Sequence, residues 1–154
     1  MKMNDQQKQL IEKIGIFYER EGMQPVAARI IGLLLVSNET ELTFDEIREQ
    51  LNVSKSAASN AINLLLRLGQ MDYITKPGER KRYFRNRMDQ WKDAMKQKMD
   101  GMLSLRELLL EVKSVRSGKN KQFIEKLDEL IDFMNYMHKE MPTLIKQWEA
   151  KRKK

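Results

Sequence analysis

The chain contains no cysteine, so disulfide bridges and thiolate metal centres are excluded. Its single histidine, His138, leaves too few imidazoles for a zinc site. No apolar run approaches the about 18 residues of a membrane-spanning helix. The longest, Ile30 to Val36, reads as a buried helix segment. The polar start MKMNDQQKQL lacks the apolar region of a signal peptide. The reading is therefore of a cytoplasmic chain with no membrane segment, and the missing cysteines fit a reducing compartment. There is also no glycine-rich phosphate loop, no nucleophile elbow and no metal-ligand cluster. His138 and its neighbour Glu140 face different sides of a helix, so they form no acid–base pair. The carboxylates alternate with lysines as helix-surface charges do. Nothing here reads as an enzyme, and no metal or cofactor is expected.

What is present begins with size and charge. The 154 residues, 41% of them hydrophobic, suffice for one domain with a real core. The net charge of +7 is unevenly spread. Residues 1–75 sum to −2, residues 76–87 to +5, and residues 88–154 to +4. A dozen residues thus hold most of the excess, as expected of a basic patch that meets an acidic polymer.

That dozen closes a continuous pattern. TFDEIREQL, Thr43 to Leu51, opens on a capping box in which Thr43 and Glu46 satisfy each other's free backbone donors. Leu42 and Ile47 hold the positions of a hydrophobic staple. Asn52-Val53 is a tight turn. Ser54 is the expected N-cap of a second helix, Ser54 to Leu68, stopped by Gly69. Its inward stripe is Ala58, Ala61, Ile62, Leu65 and Leu68, with small alanines allowing close packing on the first helix. Two short strands follow, Met71 to Lys76 and Lys81 to Arg85, joined by a turn at Pro77-Gly78. Glu41-Leu42 is a candidate third strand against this hairpin. Helix, turn, helix and basic hairpin together are the pattern of a winged helix-turn-helix.

The flanks are helical. A first helix over Asn4 to Glu21 carries Leu10, Ile14 and Phe17 on one stripe, with Ile11 and Tyr18 beside it. Gly22 ends it, and Pro25 suits the first turn of the next, which runs to about Val36 and is apolar nearly all round. Arg29 inside that helix reads first as an ion-pair partner. From Met88, a stripe of Trp91, Met95, Met102, Leu105, Leu109 and Val112 follows heptad spacing up to a break at Ser117-Gly118. Phe123, Leu127, Leu130, Met134, Met137 and Met141 repeat it. Met141-Pro142 is expected to end that helix, leaving a short one over Thr143 to Ala150 and a frayed basic end, Lys151 to Lys154. The heptads suggest an antiparallel pair. Apolar flank left over would be covered by the first helix or by a second copy of the chain.

Several side chains can be matched to a task. Ser54, Lys55, Ser56 and Ala57, at a helix N-terminus, offer hydroxyls and backbone N–H groups to phosphate oxygens. Asn60, on the outward face, can read an adenine edge, and Asn63 shares the polar side. Arg80, Lys81 and Arg82 on the wing are placed nearest DNA, where arginine can enter a narrow minor groove. Glu79 would oppose phosphate and is expected to point aside. Arg85 and Arg87 either contact the DNA backbone or pair with acids. The eleven methionines either line an adaptable cavity, with Met88, Met95, Met99 and Met102 on one helix, or serve as core or dimer packing. Phe17, Tyr18, Trp91, Phe133, Tyr136 and Trp148 include enough aromatics for a quaternary-ammonium cage, though sequence alone does not bring them together.

The stretches GMQPVAARIIGLLLVS (22–37), LTFDEIREQLNVSKSAASNAINLLLRLGQM (42–71) and TKPGERKRYF (75–84), followed by Trp91, resemble the GbsR-like branch of the MarR superfamily of winged-helix transcriptional regulators. They cover about half the chain; the C-terminal half is similar only in being helical. Asn60 stands where relatives often carry arginine. The resemblance implies a homodimer, a pseudopalindromic operator, usual action as a repressor, dimer contacts through the N- and C-terminal helices, and in some members a response to choline.

The expectation is thus a mainly α, single-domain protein with a small β-hairpin wing. Residues 1–21 form a dimerisation helix, 22–87 a DNA-binding core, and 88–154 a helical dimerisation and effector region. Expected dimer contacts are Leu10, Ile14, Phe17, Trp91, Met95, Met102, Leu109, Phe123, Leu127, Leu130 and Met134. Expected partners are double-stranded DNA, a second copy, and a small-molecule effector of unknown identity. Two other readings stay open: a winged-helix module for protein partners, and a small-molecule-binding helical protein with a vestigial DNA motif.

Overall fold

Side-chain caps set where several helices begin. Asn4 caps α1 (Asp5–Arg20) through a capping box with Gln7, and Thr43 does the same for α3 (Phe44–Leu51) with Glu46. Pro25 supplies the first residue of α2 (Pro25–Val36), and Ser54 accepts a hydrogen bond from the Ala57 N–H at the start of α4 (Lys55–Arg67). The computed structural model describes residues 3–116 and 120–152. Its remaining elements are β1 (Leu42–Thr43), β2 (Met71–Thr75), β3 (Arg82–Asn86), a 3₁₀ turn at Met88–Gln90, α5 (Trp91–Val115) and α6 (Lys121–Arg152). The protein is mostly helical with one small antiparallel sheet, in the order β1-β3-β2. The chain divides into two compact units, Met1–Asp89 and Gln90–Lys154. No helix among the described residues is long and apolar enough to cross a membrane.

In the first unit, α2 lies at the centre. Ala27, Ala28, Ile30 and Leu33 are wholly buried, and Ala27, Ile30 and Leu33 pack with Ile11, Leu42, Ile47, Leu65, Met71 and Phe84. The inward line of α1 is Ile11 and Gly15, which leaves Leu10 and Phe17 outside. At the α1–α2 crossing, a Cβ on Gly32 would sit 3.1 Å from the Ile11 carbonyl oxygen, tighter than ordinary contact, so the two helices approach closely here. Arg29 leaves the apolar side of α2 to pair with Glu12 at 2.9 Å and with Glu19, tying the two helices together.

Two sequence expectations are corrected here. The helical spacing predicts Leu68 on the inward stripe of α4, yet it is the C-cap residue and 55% exposed, because the helix closes at Arg67 before the stripe completes another turn. The strand ends also shift: β2 stops at Thr75 and β3 runs from Arg82 to Asn86. The small strand β1 does join the wing, with Leu42 opposite Phe84 and Thr43 opposite Tyr83.

In the second unit, α5 and α6 run antiparallel. Trp91 at the start of α5 meets Trp148 near the end of α6, edge to face at 5.5 Å, and Lys113 pairs with Asp128 at 2.6 Å toward the other end. Leu127, Ile131 and Met134 are buried. Pro142 does not end α6, which continues to Arg152. Proline removes one backbone hydrogen bond. Here the segment beyond it is held by the Trp91–Trp148 contact and by the Lys92–Glu149 ion pair, so tertiary contacts override the local break. The expected break at Ser117-Gly118 and the end of the basic tail, Lys153 and Lys154, lie outside the described residues.

Candidate nucleic-acid interface

The wing is shaped by its turn. Pro77 and Gly78 occupy the centre of a β-turn closed by the Glu79 N–H on the Lys76 carbonyl at 3.1 Å, and Gly78 has φ +79°. Proline first and a positive-φ residue second make a type II turn, which only glycine adopts without strain. The register Asp72–Arg85, Tyr73–Phe84, Ile74–Tyr83 and Thr75–Arg82 then divides the side chains between two faces. Met71 and Phe84 on one face are buried in the core. On the same face Arg82 lies diagonal to Tyr73, and its guanidinium sits 4.6 Å from that ring. On the opposite face the Lys76 ammonium lies 3.9 Å from the Tyr83 ring and pairs with Glu41.

This pairing sorts the basic cluster into two groups. Arg85 donates to both Asp72 carboxylate oxygens, at 2.7 and 3.3 Å, which raises its pKa. Arg87 donates to the Gly69 carbonyl at 3.3 Å. Lys76 is held by Glu41, which likewise raises its pKa. Glu79, the one acid of the tip, accepts from the Tyr83 hydroxyl, which holds the phenol's pKa above its usual value. Arg80, Lys81 and Arg82 are exposed and form no ion pair among the described residues. The +5 block of sequence therefore leaves three cations at the tip outside any ion pair among the described residues.

Those cations and α4 border one groove of about 340 Å³, lined by Arg80, Lys81 and Arg82 from the wing, Ser59, Ile62, Asn63 and Leu66 from α4, and Thr43 to Asp45 at the head of α3. Across Asn63 lies an open depression that also takes in Asn60, Arg67 and Gln24. Asn60, Asn63 and Arg67, spaced i, i+3 and i+7, form one exposed polar line along α4. At the head of α4, Ser54, Lys55 and Ser56 are exposed and Ala57 is half-buried. The Ser54 hydroxyl is committed to the Ala57 N–H at 3.2 Å and also lies 3.2 Å from the Ser56 hydroxyl. Its role at the helix start is therefore capping first.

Sequence reasoning missed Ser59, Asp45, Gln24 and Tyr73. Alternation along β2 and β3 could have paired Tyr73 with Arg82. No linear spacing links Gln24 or Asp45 to α4. Of the expected dimer contacts, Leu10, Phe17, Trp91, Met95, Met102, Phe123 and Leu130 are exposed, and Ile14 and Leu109 are intermediate. Leu127 and Met134 are buried within the chain itself. Within the first unit Phe17 packs on Tyr18, and within the second Trp91 packs on Trp148, with Lys92 and Arg152 beside the Trp148 ring.

A helix-turn-helix with an exposed polar second helix, flanked by a sheet with a basic hairpin, is the architecture of a winged helix-turn-helix. Comparison with known proteins agrees. Residues 21–70 match the MarR family, and residues 89–151 match the MmpR5-like MarR family transcriptional regulators. The HTH-type transcriptional regulator MmpR5 of Mycobacterium tuberculosis is 23% identical over 129 residues, covering 84% of this chain and 78% of that protein. A crystal structure of a transcriptional regulator superposes with a TM-score of 0.74 at 21% identity, covering 94% of this chain and 99% of that one, which bears on the fold. Taken together, the two matches make the chain similar to MarR-family transcriptional regulators over most of its length.

Proposed function

We propose that the chain acts in the cytoplasm as a homodimeric repressor that occupies a pseudopalindromic operator. The observation that carries this is the tip of the wing, where Arg80, Lys81 and Arg82 form no ion pair among the described residues and border the same groove as the polar side of α4. In this reading the wing neutralises phosphates and supplies salt-dependent affinity. Backbone N–H groups at Ser54 to Ala57, with the Lys55 and Ser56 side chains, fix the register on a phosphate. Asn60 and Asn63 then meet base edges, where asparagine pairs with adenine through one donor and one acceptor.

Dimerisation is supported by exposed apolar side chains on each unit. Leu10 at 46% and Phe17 at 60% exposure stand on α1, and Leu130, Phe133 and Tyr136 stand on α6. An apolar surface of this kind marks an interaction site. Residues 1–21 and 88–154 would then join two copies, and 22–87 would read one half-site each. Two such units address half-sites about 34–36 Å apart.

We assign the chain to the GbsR-like branch on the three stretches quoted above. Choline or a related osmolyte is accordingly the proposed effector, lowering operator affinity on binding. Selection of bound fragments from a random duplex pool tests the DNA reading: a palindromic consensus is expected, and recovery of unrelated fragments would refute it. Choline added to the operator complex tests the effector. Release supports choline as the effector, and unchanged occupancy removes it while leaving the branch and repressor readings intact.

A further inference from the structure

Five of the eleven methionines and the sole histidine line one small cavity between α5 and α6. Met134, Met137, His138 and Met141 follow i, i+3, i+4 and i+7 spacing, which places them on one side of α6. Met99 and Met102, at i and i+3, face them from α5. Leu103 completes the lining, which contains no carboxylate. Met134 is buried, Met99, Met137 and Met141 are half-buried, and His138 is exposed. Elsewhere the helix pair is packed with branched residues such as Leu109, Leu127 and Ile131, so methionine is concentrated where the cavity lies.

We propose that this cavity is a binding site for a soft monovalent metal ion, Cu(I) or Ag(I). Thioethers are neutral, polarisable donors that select Cu(I), whereas hard divalent ions require carboxylate, carbonyl or water oxygens. The lining offers five thioethers and one imidazole and no oxygen ligand from a side chain. A neutral site also suits a single positive charge, which costs less to desolvate than a double one. The volume is about 30 Å³, room for one monatomic ion. Pockets for organic ligands run to roughly 300–1,000 Å³. Methionine has three rotatable bonds, so several sulfurs can turn onto one ion without backbone movement. His138, exposed at the rim, supplies the remaining donor and the route of entry. An ion held by side chains of both helices would clamp α5 to α6 and stabilise the folded chain by mass action. The inference does not rest on the DNA-binding reading.

The test is an anaerobic titration of the full chain with Cu(I) against a chromophoric chelator. In parallel, the ¹³C-labelled methionine methyl groups are followed as Ag(I) is added. One Cu(I) withdrawn per chain is expected. Shifts should be confined at equimolar Ag(I) to Met99, Met102, Met134, Met137 and Met141, with Met88, 59% exposed, unmoved. The double variant Met137→Leu, Met141→Leu preserves core volume. It should keep its helical signal and lose the competition, and His138→Gln should weaken it. Withdrawal of no Cu(I) by the native chain would overturn the proposal. So would equal withdrawal by the folded double variant, or a Met88 shift at the same metal ratio as the cavity methyls. If the double variant does not fold, the methyl shifts of the native chain decide alone.

Discussion

Removing the two free arginines of the wing should change how binding depends on salt more than it changes anything else. Arg80 and Arg82 are exposed, and neither forms an ion pair among the described residues. Each is available for one phosphate, and the proposed dimer would present two wings. Replacing both with alanine therefore removes about four phosphate contacts per dimer. Each contact contributes about 0.9 to the slope of log affinity on log salt, so the slope should flatten by roughly 3.6. Over a fourfold rise in salt, the native complex should lose on the order of 100-fold more affinity than the variant. Fluorescence anisotropy of a labelled operator across a salt series measures this, with a thermal melt to establish that the fold is retained. Arg85 is the internal control. It sits on the same hairpin but is bound in two-pronged fashion by Asp72, at 2.7 and 3.3 Å. Arg85→Ala should leave the slope within about one contact of the native value. An unchanged slope in the Arg80, Arg82 variant, or an equal flattening in Arg85→Ala, would refute the division of the wing into free and tethered cations.

Asn60→Ala should cost about 1–3 kcal/mol at one base position per half-site, read as relative affinities across a panel of operator mutants; uniform weakening across the panel would take Asn60 away from base reading. Ser54→Ala removes the cap on the Ala57 N–H and should lower stability by about 1 kcal/mol in urea denaturation, with operator preference retained. Gly32→Ala forces a Cβ to 3.1 Å from the Ile11 carbonyl oxygen and should destabilise the first unit by about 1–3 kcal/mol, so an unchanged melting temperature would contradict the tight α1–α2 crossing. Glu46 is held below its ordinary carboxylate pKa, first by the Thr43 hydroxyl and then by the Thr43 backbone N–H. A depressed folded-state pKa gives stability that is present above the unfolded value, near 4.3, and is lost as pH falls through the folded value. The urea midpoint should accordingly drop with acidification, and Glu46→Gln should show less of that drop.

Much of the DNA-binding half was legible because its signals are local. A capping box needs only Thr43 and Glu46 in sequence, a helix stop needs Gly69, and a type II turn needs Pro77 followed by Gly78; each forms from contacts within a few residues. The failures share a different cause. Pro142 is a correct local signal for a helix end, but Trp148 and Glu149 find partners in Trp91 and Lys92 from the far end of α5, and those contacts outweigh one lost backbone bond. Leu68 carries the right residue type for the core at a position where the helix has already closed.

The wing marks the boundary between these two regimes. Sequence locates its excess of positive charge but cannot say which cations are spent inside the protein. Arg85 finds Asp72 through strand register, Lys76 finds Glu41 across the sheet, and Arg87 finds the Gly69 carbonyl at the end of α4. Only with those three engaged does the surplus fall on Arg80, Lys81 and Arg82. Tyr73 then steadies Arg82 through its ring face, at no cost in charge. The tethered cations hold the hairpin against β1 and α4, and the free ones are carried by it. A substitution at Asp72 or Glu41 should therefore act on DNA indirectly, by releasing Arg85 or Lys76 and loosening the hairpin that aims the tip.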